Sequence, residues 1–147
     1  MSQHNRDYQR SKVYKWEKEF VFPKNKTVLS FENAAASVRA IFMAEGLRFP
    51  PEVLPIPPQV KTYFAEANRK GIWLPENTPT TILLHELAHS LTFGVDGDSD
   101  RHGPEYVGVY MTLLEKYAGI NRPYLWYTAT KAGVDYNPFA KPTITDS

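Results

Sequence analysis

His85-Glu86-Leu87-Ala88-His89 decides the reading of this chain. It has the pattern H-E-x-x-H. The residues around it, Ile82, Leu83, Leu84, Leu91 and Phe93, make the segment apolar nearly all round, which predicts a buried helix over about 79–93. Asn77 or Thr78 is placed to cap its start, Pro79 suits its first turn and Gly94 offers a stop. On a helix, two imidazoles four residues apart share one face, with Cβ atoms about 5–6 Å from each other. That gap lets both rings reach one metal ion at about 2.0–2.1 Å. Glu86 is rotated about 100° from His85 at 3.6 residues per turn. Its carboxylate therefore falls beside the ion, where it can take a proton from an activated water. The competing reading is a core helix whose two histidines are satisfied by hydrogen bonds alone, since unpaired buried polar groups are costly.

Downstream, His102-Gly103-Pro104-Glu105-Tyr106 places a third histidine at the mouth of another helix. Catalytic zinc typically takes three protein ligands and keeps one position open. The loop 94–101 is long enough to bring His102 back toward His85 and His89. Taken alone, His102 reads as an exposed loop histidine; beside the H-E-x-x-H helix it reads as the third ligand. Glu105 is the rival for that position. Pro104 fits a first helical turn and Glu105 the positive helix end. Val107, Met111, Leu114 and Ala118 then mark a buried face up to Gly119. The fourth histidine, His4, lies in a polar stretch and reads as solvated.

Together the two histidine motifs resemble the core of the SprT-like metalloproteases, which include Spartan and carry H-E-x-x-H followed by H-G-P-E-[FY]. The chain is also similar to the small H-E-x-x-H metallohydrolases of actinobacteria and their phages, through Arg6-Asp7-Tyr8-Gln9-Arg10-Ser11-Lys12-Val13-Tyr14 and Tyr127-Thr128-Ala129-Thr130-Lys131-Ala132-Gly133-Val134. The likeness is tight over 71–118 and loose elsewhere. It implies that His85, His89 and His102 bind one catalytic Zn²⁺, with His102 preferred to Glu105, and that Glu86 is the catalytic acid/base. It also implies a protein or peptide substrate, held beside the active-site helix by a sheet edge. DNA-repair members of the family commonly carry a zinc ribbon or DNA-binding segments. This chain has no cysteine for such a ribbon and no basic tail.

Bulk properties agree with a compact enzyme. A chain of 147 residues fits one domain, with 1–11 and 135–147 expected as loose termini. A chain of that size buries about 68–70% of its unfolded surface. The net charge of +1 exerts no global pull on nucleic acid or anionic lipid. The absence of cysteine excludes disulfides and fits a reducing, cytoplasmic setting. No window is apolar enough for a membrane span or a signal peptide.

The rest divides into shorter signals. Tyr14, Trp16, Phe20 and Phe22 alternate like a strand, whereas the family likeness suggests helix, so 12–26 stays open between the two. Lys12, Lys15, Lys18, Lys24 and Lys26 interleave with these aromatics and could face nucleic acid. A solvated basic face is the preferred reading, because Glu17 and Glu19 break up the field. Ser30 to Glu45 predicts an amphipathic helix capped by Ser30 and ended by Gly46. The prolines at 50, 51, 55, 57 and 58 forbid helix and disfavour paired strand, and a rigid loop is the preferred reading. Val60–Ala65 and Gly71–Leu74 predict a hairpin turning at 68–71, and the 60–74 region is the candidate substrate rail. Asp96, Asp98 and Asp100 fail the calcium-loop pattern, since Arg101 and Val107 stand where glycine and glutamate are needed. One of these aspartates could instead support a ligating imidazole. Tyr106, Tyr124 and Tyr127 are candidates to stabilise an oxyanion, with packing the preferred role for each.

The expected molecule is thus an α+β, zincin-like single domain. It combines the H-E-x-x-H helix, a second helix opened by His102-Gly103-Pro104-Glu105-Tyr106 and a small sheet. The expected activity is zinc-dependent peptide-bond hydrolysis. The alternatives are a non-catalytic, metal-stabilised binding module and a nucleic-acid-associated accessory protein.

Overall fold

The computed structural model describes residues 7–47, 49–57, 66–67, 71–92 and 101–142. Among these residues, five α-helices and two small sheets form an α+β domain. Helix α1 (Arg10–Trp16) runs into a π-helical turn (Glu17–Val21) and a 3₁₀ turn (Phe22–Lys24). The open segment is therefore helical as far as Lys24, with Asn25 extended. Val13, Trp16, Glu17 and Val21 recur at helical spacing and are all buried, whereas Tyr14 is 49% exposed. The side chains of the five lysines between 12 and 26 are exposed on the solvent face. The pull toward the core at Trp16 outweighs the alternation read from the aromatics.

Strand β1 (Val28–Ser30) leads into α2 (Phe31–Ala44), and the Ser30 side chain accepts from the Asn33 N–H as expected. Strand β1 pairs antiparallel with β5 (Asn77–Pro79), which leads directly into α3 (Thr80–Leu91). The Thr80 N–H donates to the Thr27 carbonyl. This ladder displaces the predicted cap. Pro79 occupies the cap position and makes no side-chain cap bond, because Asn77 and Thr78 are committed to strand.

The second sheet has the order β2-β4-β3, with β2 at Glu52–Pro55, β3 at Glu66–Ala67 and β4 at Gly71–Leu74. Strand β4 is central, parallel to β2 and antiparallel to β3. The proline-rich connection thus contains a paired strand, which its prolines disfavour. Pro51 and Pro55 flank Glu52, Val53 and Leu54, which keep their N–H groups, and proline is tolerated at a strand end on a sheet edge. The Gly71–Leu74 strand is present as predicted; residues 60–65 and the turn at 68–70 lie outside the described residues.

Helix α3 packs against α4 (Pro104–Ala118). Helix α4 starts at Pro104 and stops at Gly119 in the left-handed conformation (φ 69°), as its sequence predicts. Helix α5 (Arg122–Lys131) is capped by Asn121 and meets α1 through the Trp16 indole N–H, which donates to Thr128 Oγ1 at 2.9 Å. Leu83, Leu84, Leu87, Tyr106, Tyr110, Leu114 and Trp16 fill the core between these helices.

Within the stretches expected as loose termini, residues 7–11 and 135–142 are described and make defined contacts, while 1–6 and 143–147 lie outside the described residues. Gln9 is buried and ties the chain start to Asp135, donating to its carbonyl at 2.9 Å and accepting from its N–H at 2.9 Å. Further on, the 137–140 turn packs on α4 at Gly108. A Cβ there would stand 2.1 Å from the Asn137 carbonyl oxygen. The Gln9 side chain thus satisfies both backbone groups of Asp135, and the Asn137 N–H donates to the Pro104 carbonyl.

Candidate metal centre

Helix α3 presents His85 and His89 on one face, and His102 arrives just before the first turn of α4. Ligating atoms of the three histidines lie within 4.8 Å of one another. His89 Nε2 and His102 Nε2 are 3.2 Å apart. Two nitrogens bound to one tetrahedral ion at about 2.0–2.1 Å are separated by about 3.3 Å. The pair thus has the spacing of two ligands of one ion. His85 and His102 are buried, at 7% and 5% exposed.

The outward nitrogens of two rings are held by carboxylates. His85 Nδ1 donates to Glu17 Oε2 at 2.7 Å. His102 Nδ1 faces both oxygens of Asp7 at 3.0 and 3.1 Å, and the His102 backbone N–H donates to the same carboxylate at 3.2 Å. A proton on each Nδ1 leaves the Nε2 lone pair free for a cation. Carboxylates in this position orient metal-binding imidazoles and raise their basicity. Gln9 adds a bond to the His102 carbonyl at 2.8 Å. The residues present fit a divalent ion of the zinc type: neutral imidazole donors, outer carboxylates and a largely buried setting.

Burial and charge set the protonation of the cluster. His89 is pushed well below its ordinary value by burial, and further by His85, His102 and Arg101. His102 is lowered because burial outweighs the raising influence of Asp7. Burial also lowers His85, but the charge and hydrogen bond of Glu17, with the charge of Glu86, outweigh it and the net direction is up. A cation arriving at the site displaces the proton that Glu17 favours on His85.

Aromatic rings wall the cluster. Tyr106 stacks on His89 with centroids 4.2 Å apart and donates to the His85 carbonyl at 3.0 Å. Tyr110 donates to Glu17 Oε2 at 2.5 Å. Burial drives both phenols well above their ordinary pKa, so they act as neutral donors. Tyr14 meets His102 edge-on at 5.2 Å. Glu86 is 7% exposed on α3 and close enough that its charge acts on His85 and Tyr14.

Other candidates are elsewhere. Glu105 turns to Asn137, accepting from Nδ2 at 2.7 Å, and stands outside the histidine cluster. Tyr124 donates to the Phe20 carbonyl and Tyr127 is 66% exposed on α5. His4 and Asp96, Asp98 and Asp100 lie outside the described residues. The carboxylates that do support the imidazoles, Asp7 and Glu17, were not singled out from the sequence. Glu17 had a legible signal: in the helical reading it falls in the stripe of Val13, Trp16 and Phe20, where a carboxylate needs a partner. Asp7 had no such signal, because nothing local ties it to a residue 95 positions away.

No family model, curated protein or solved structure matches the chain. Among the described residues, no helix is long and apolar enough to cross a membrane. The three-histidine cluster could hold a metal ion, and it is the observation from which function must be argued.

Proposed function

We propose that the chain is a zinc-dependent hydrolase that cleaves peptide bonds, with His85, His89 and His102 as ligands of one ion and Glu86 as general base. The observation carrying this reading is the convergence of three imidazoles whose outer nitrogens are held by Asp7 and Glu17. Histidine-only ligation with no cysteine suits a catalytic zinc site better than a structural one, which usually closes with four ligands. Among the described residues, no fourth histidine, aspartate or glutamate joins the cluster. The likeness of the two histidine motifs to SprT-like metalloproteases supports a protein or peptide substrate. The lack of cysteine fits a reducing compartment such as the cytoplasm.

When bound, zinc supplies Lewis acidity, polarising a carbonyl and acidifying water to a pKa of about 7. The chain supplies the rest. Glu86 takes the proton from the attacking water and returns it to the leaving amine. Asp7 and Glu17 hold the ring orientations, and Tyr106 closes one wall against solvent.

Metal analysis of zinc-loaded protein is expected to find one ion per chain. Glu86→Gln should keep that ion and lower hydrolysis of casein by about 10²–10⁴-fold, the usual contribution of a positioned acid/base. Full activity in this variant rules Glu86 out as the base. His102→Ala should lose zinc affinity; unchanged affinity removes His102 from the ligand set.

A further inference from the structure

Three phenol rings touch the histidine cluster, and their hydroxyls have different fates. Tyr106 is fully buried and donates to the His85 carbonyl. Tyr110 is fully buried and donates to Glu17. Tyr14 differs from both. It is 49% exposed, its ring lies 5.2 Å from His102 and 6.1 Å from His85, and its hydroxyl has no hydrogen-bond partner among the described residues. The phenol is thus the one ring of the three that both borders the cluster and reaches solvent.

Its placement is firm. Tyr14 rides on α1, whose neighbouring Val13 and Trp16 are fully buried. The Trp16 indole N–H is fixed to Thr128. At the start of the same segment, Asp7 and Gln9 both bond His102. The segment that orients His102 is therefore the segment that carries Tyr14. Packing alone does not account for the hydroxyl, since a phenylalanine would make the same edge contact with His102. A phenol is also neutral at pH 7, with an ordinary pKa of about 10, so it can donate without adding charge.

We propose that Tyr14 is a catalytic hydrogen-bond donor of this site: its O–H bonds the oxygen of a substrate carbonyl at the histidine cluster and holds it as that oxygen gains charge. The inference rests on the hydrolase reading above and adds to it the group that meets the oxyanion. The electron count is simple. Water oxygen bonds to the carbonyl carbon, its proton passes to Glu86, and the C=O π pair moves to the oxygen. Tyr14 keeps its proton and donates a hydrogen bond to that oxygen. As the C–N bond breaks, its pair goes to nitrogen, which takes the proton from Glu86, and the C=O bond reforms. A donor preset where charge develops strengthens binding of the charged tetrahedral form more than of the neutral carbonyl.

The test separates the donor from the metal reading. Zinc affinity, phenylphosphonate affinity and imidazole affinity are measured by calorimetry on the full chain, unaltered and as Tyr14→Phe. Phenylphosphonate mimics a charged tetrahedral oxygen centre; imidazole can occupy a metal position without presenting an oxygen. The expected result is unchanged zinc and imidazole affinity with phenylphosphonate binding about tenfold weaker, the loss of one hydrogen bond. Tyr127→Phe, an exposed phenol on α5, should change none of the three. Equal phenylphosphonate affinity in Tyr14→Phe and the unaltered chain overturns the role of Tyr14 and leaves the metal reading intact. Weakening of zinc, imidazole and phenylphosphonate together also overturns it, because the ring would then be supporting the cluster. Failure of the unaltered chain to bind zinc overturns both readings.

Discussion

Glu17 carries a carboxylate at 2% exposure and accepts from His85 and Tyr110 with the same oxygen. A buried carboxylate is costly unless such partners surround it, so its retention in the core is explained by the imidazole it orients. Glu17→Gln and Asp7→Asn should each weaken zinc affinity by about 10–100-fold, as loss of outer partners of ligating histidines does. Competition against a chromophoric chelator measures this; unchanged affinity in both variants would mean the carboxylates only fill space. Glu17 also sets a pH dependence in the metal-free protein. His85 is raised above 6.5, so its pair with Glu17 stabilises the fold fully below 6.5 and loses that contribution as pH rises through the raised value. His89 and His102 are lowered, so stability falls as pH drops below 6.5 toward their values. The two directions oppose each other. Removing the first by Glu17→Gln should steepen the loss of stability between pH 8 and 5.5 in urea titrations of metal-free protein. Equal losses in variant and parent would dismiss Glu17 as the source.

Elements differ in how openly their sequences announce them. Helices α2 and α4 were legible because apolar spacing and local boundary signals agree, as at Ser30 before α2 and Gly119 after α4, and α3 through its apolar residues alone. The α1 segment was ambiguous because its aromatics also fit a period of two, and only contact with α5 through Trp16 and Thr128 decides it. Strand β2 was hidden by its flanking prolines, which mark a loop until β4 supplies a partner. The docking of 137–140 on α4 depends on a missing side chain at Gly108, which a single sequence presents as an unremarkable helix glycine. Gly108→Ala would place a Cβ 2.7 Å from Ala140 Cβ as well as against the Asn137 carbonyl. The backbone must shift, and overpacking of this kind costs about 1–3 kcal/mol. A lower urea midpoint with an unchanged slope is the expected outcome; a raised midpoint, as helix propensity alone predicts, would refute the close approach.

At the scale of the whole molecule, the candidate centre draws on segments far apart in sequence: Asp7 and Glu17 from the α1 region, His85 and His89 from α3, and His102 before α4. An ion held by this set binds the folded chain and not the unfolded one. Zinc at 100 times its dissociation constant should therefore add about 2.7 kcal/mol of stability. The midpoint of thermal unfolding should rise on zinc addition and return with chelator, while His102→Ala should lose most of the rise. A full rise in that variant would place the ion elsewhere. The chain's own residues, read alone, determined the H-E-x-x-H helix, the approach of a third histidine and the α+β class, because helical periodicity and ligand spacing are local and survive without neighbours. Tertiary structure alone decided which carboxylates grip the imidazoles, which phenol reaches both the cluster and solvent, and why Gln9 is tied to Asp135. Those contacts join positions about 70 to 130 residues apart, and no short-range pattern encodes a hydrogen bond between groups that only folding brings within 3 Å.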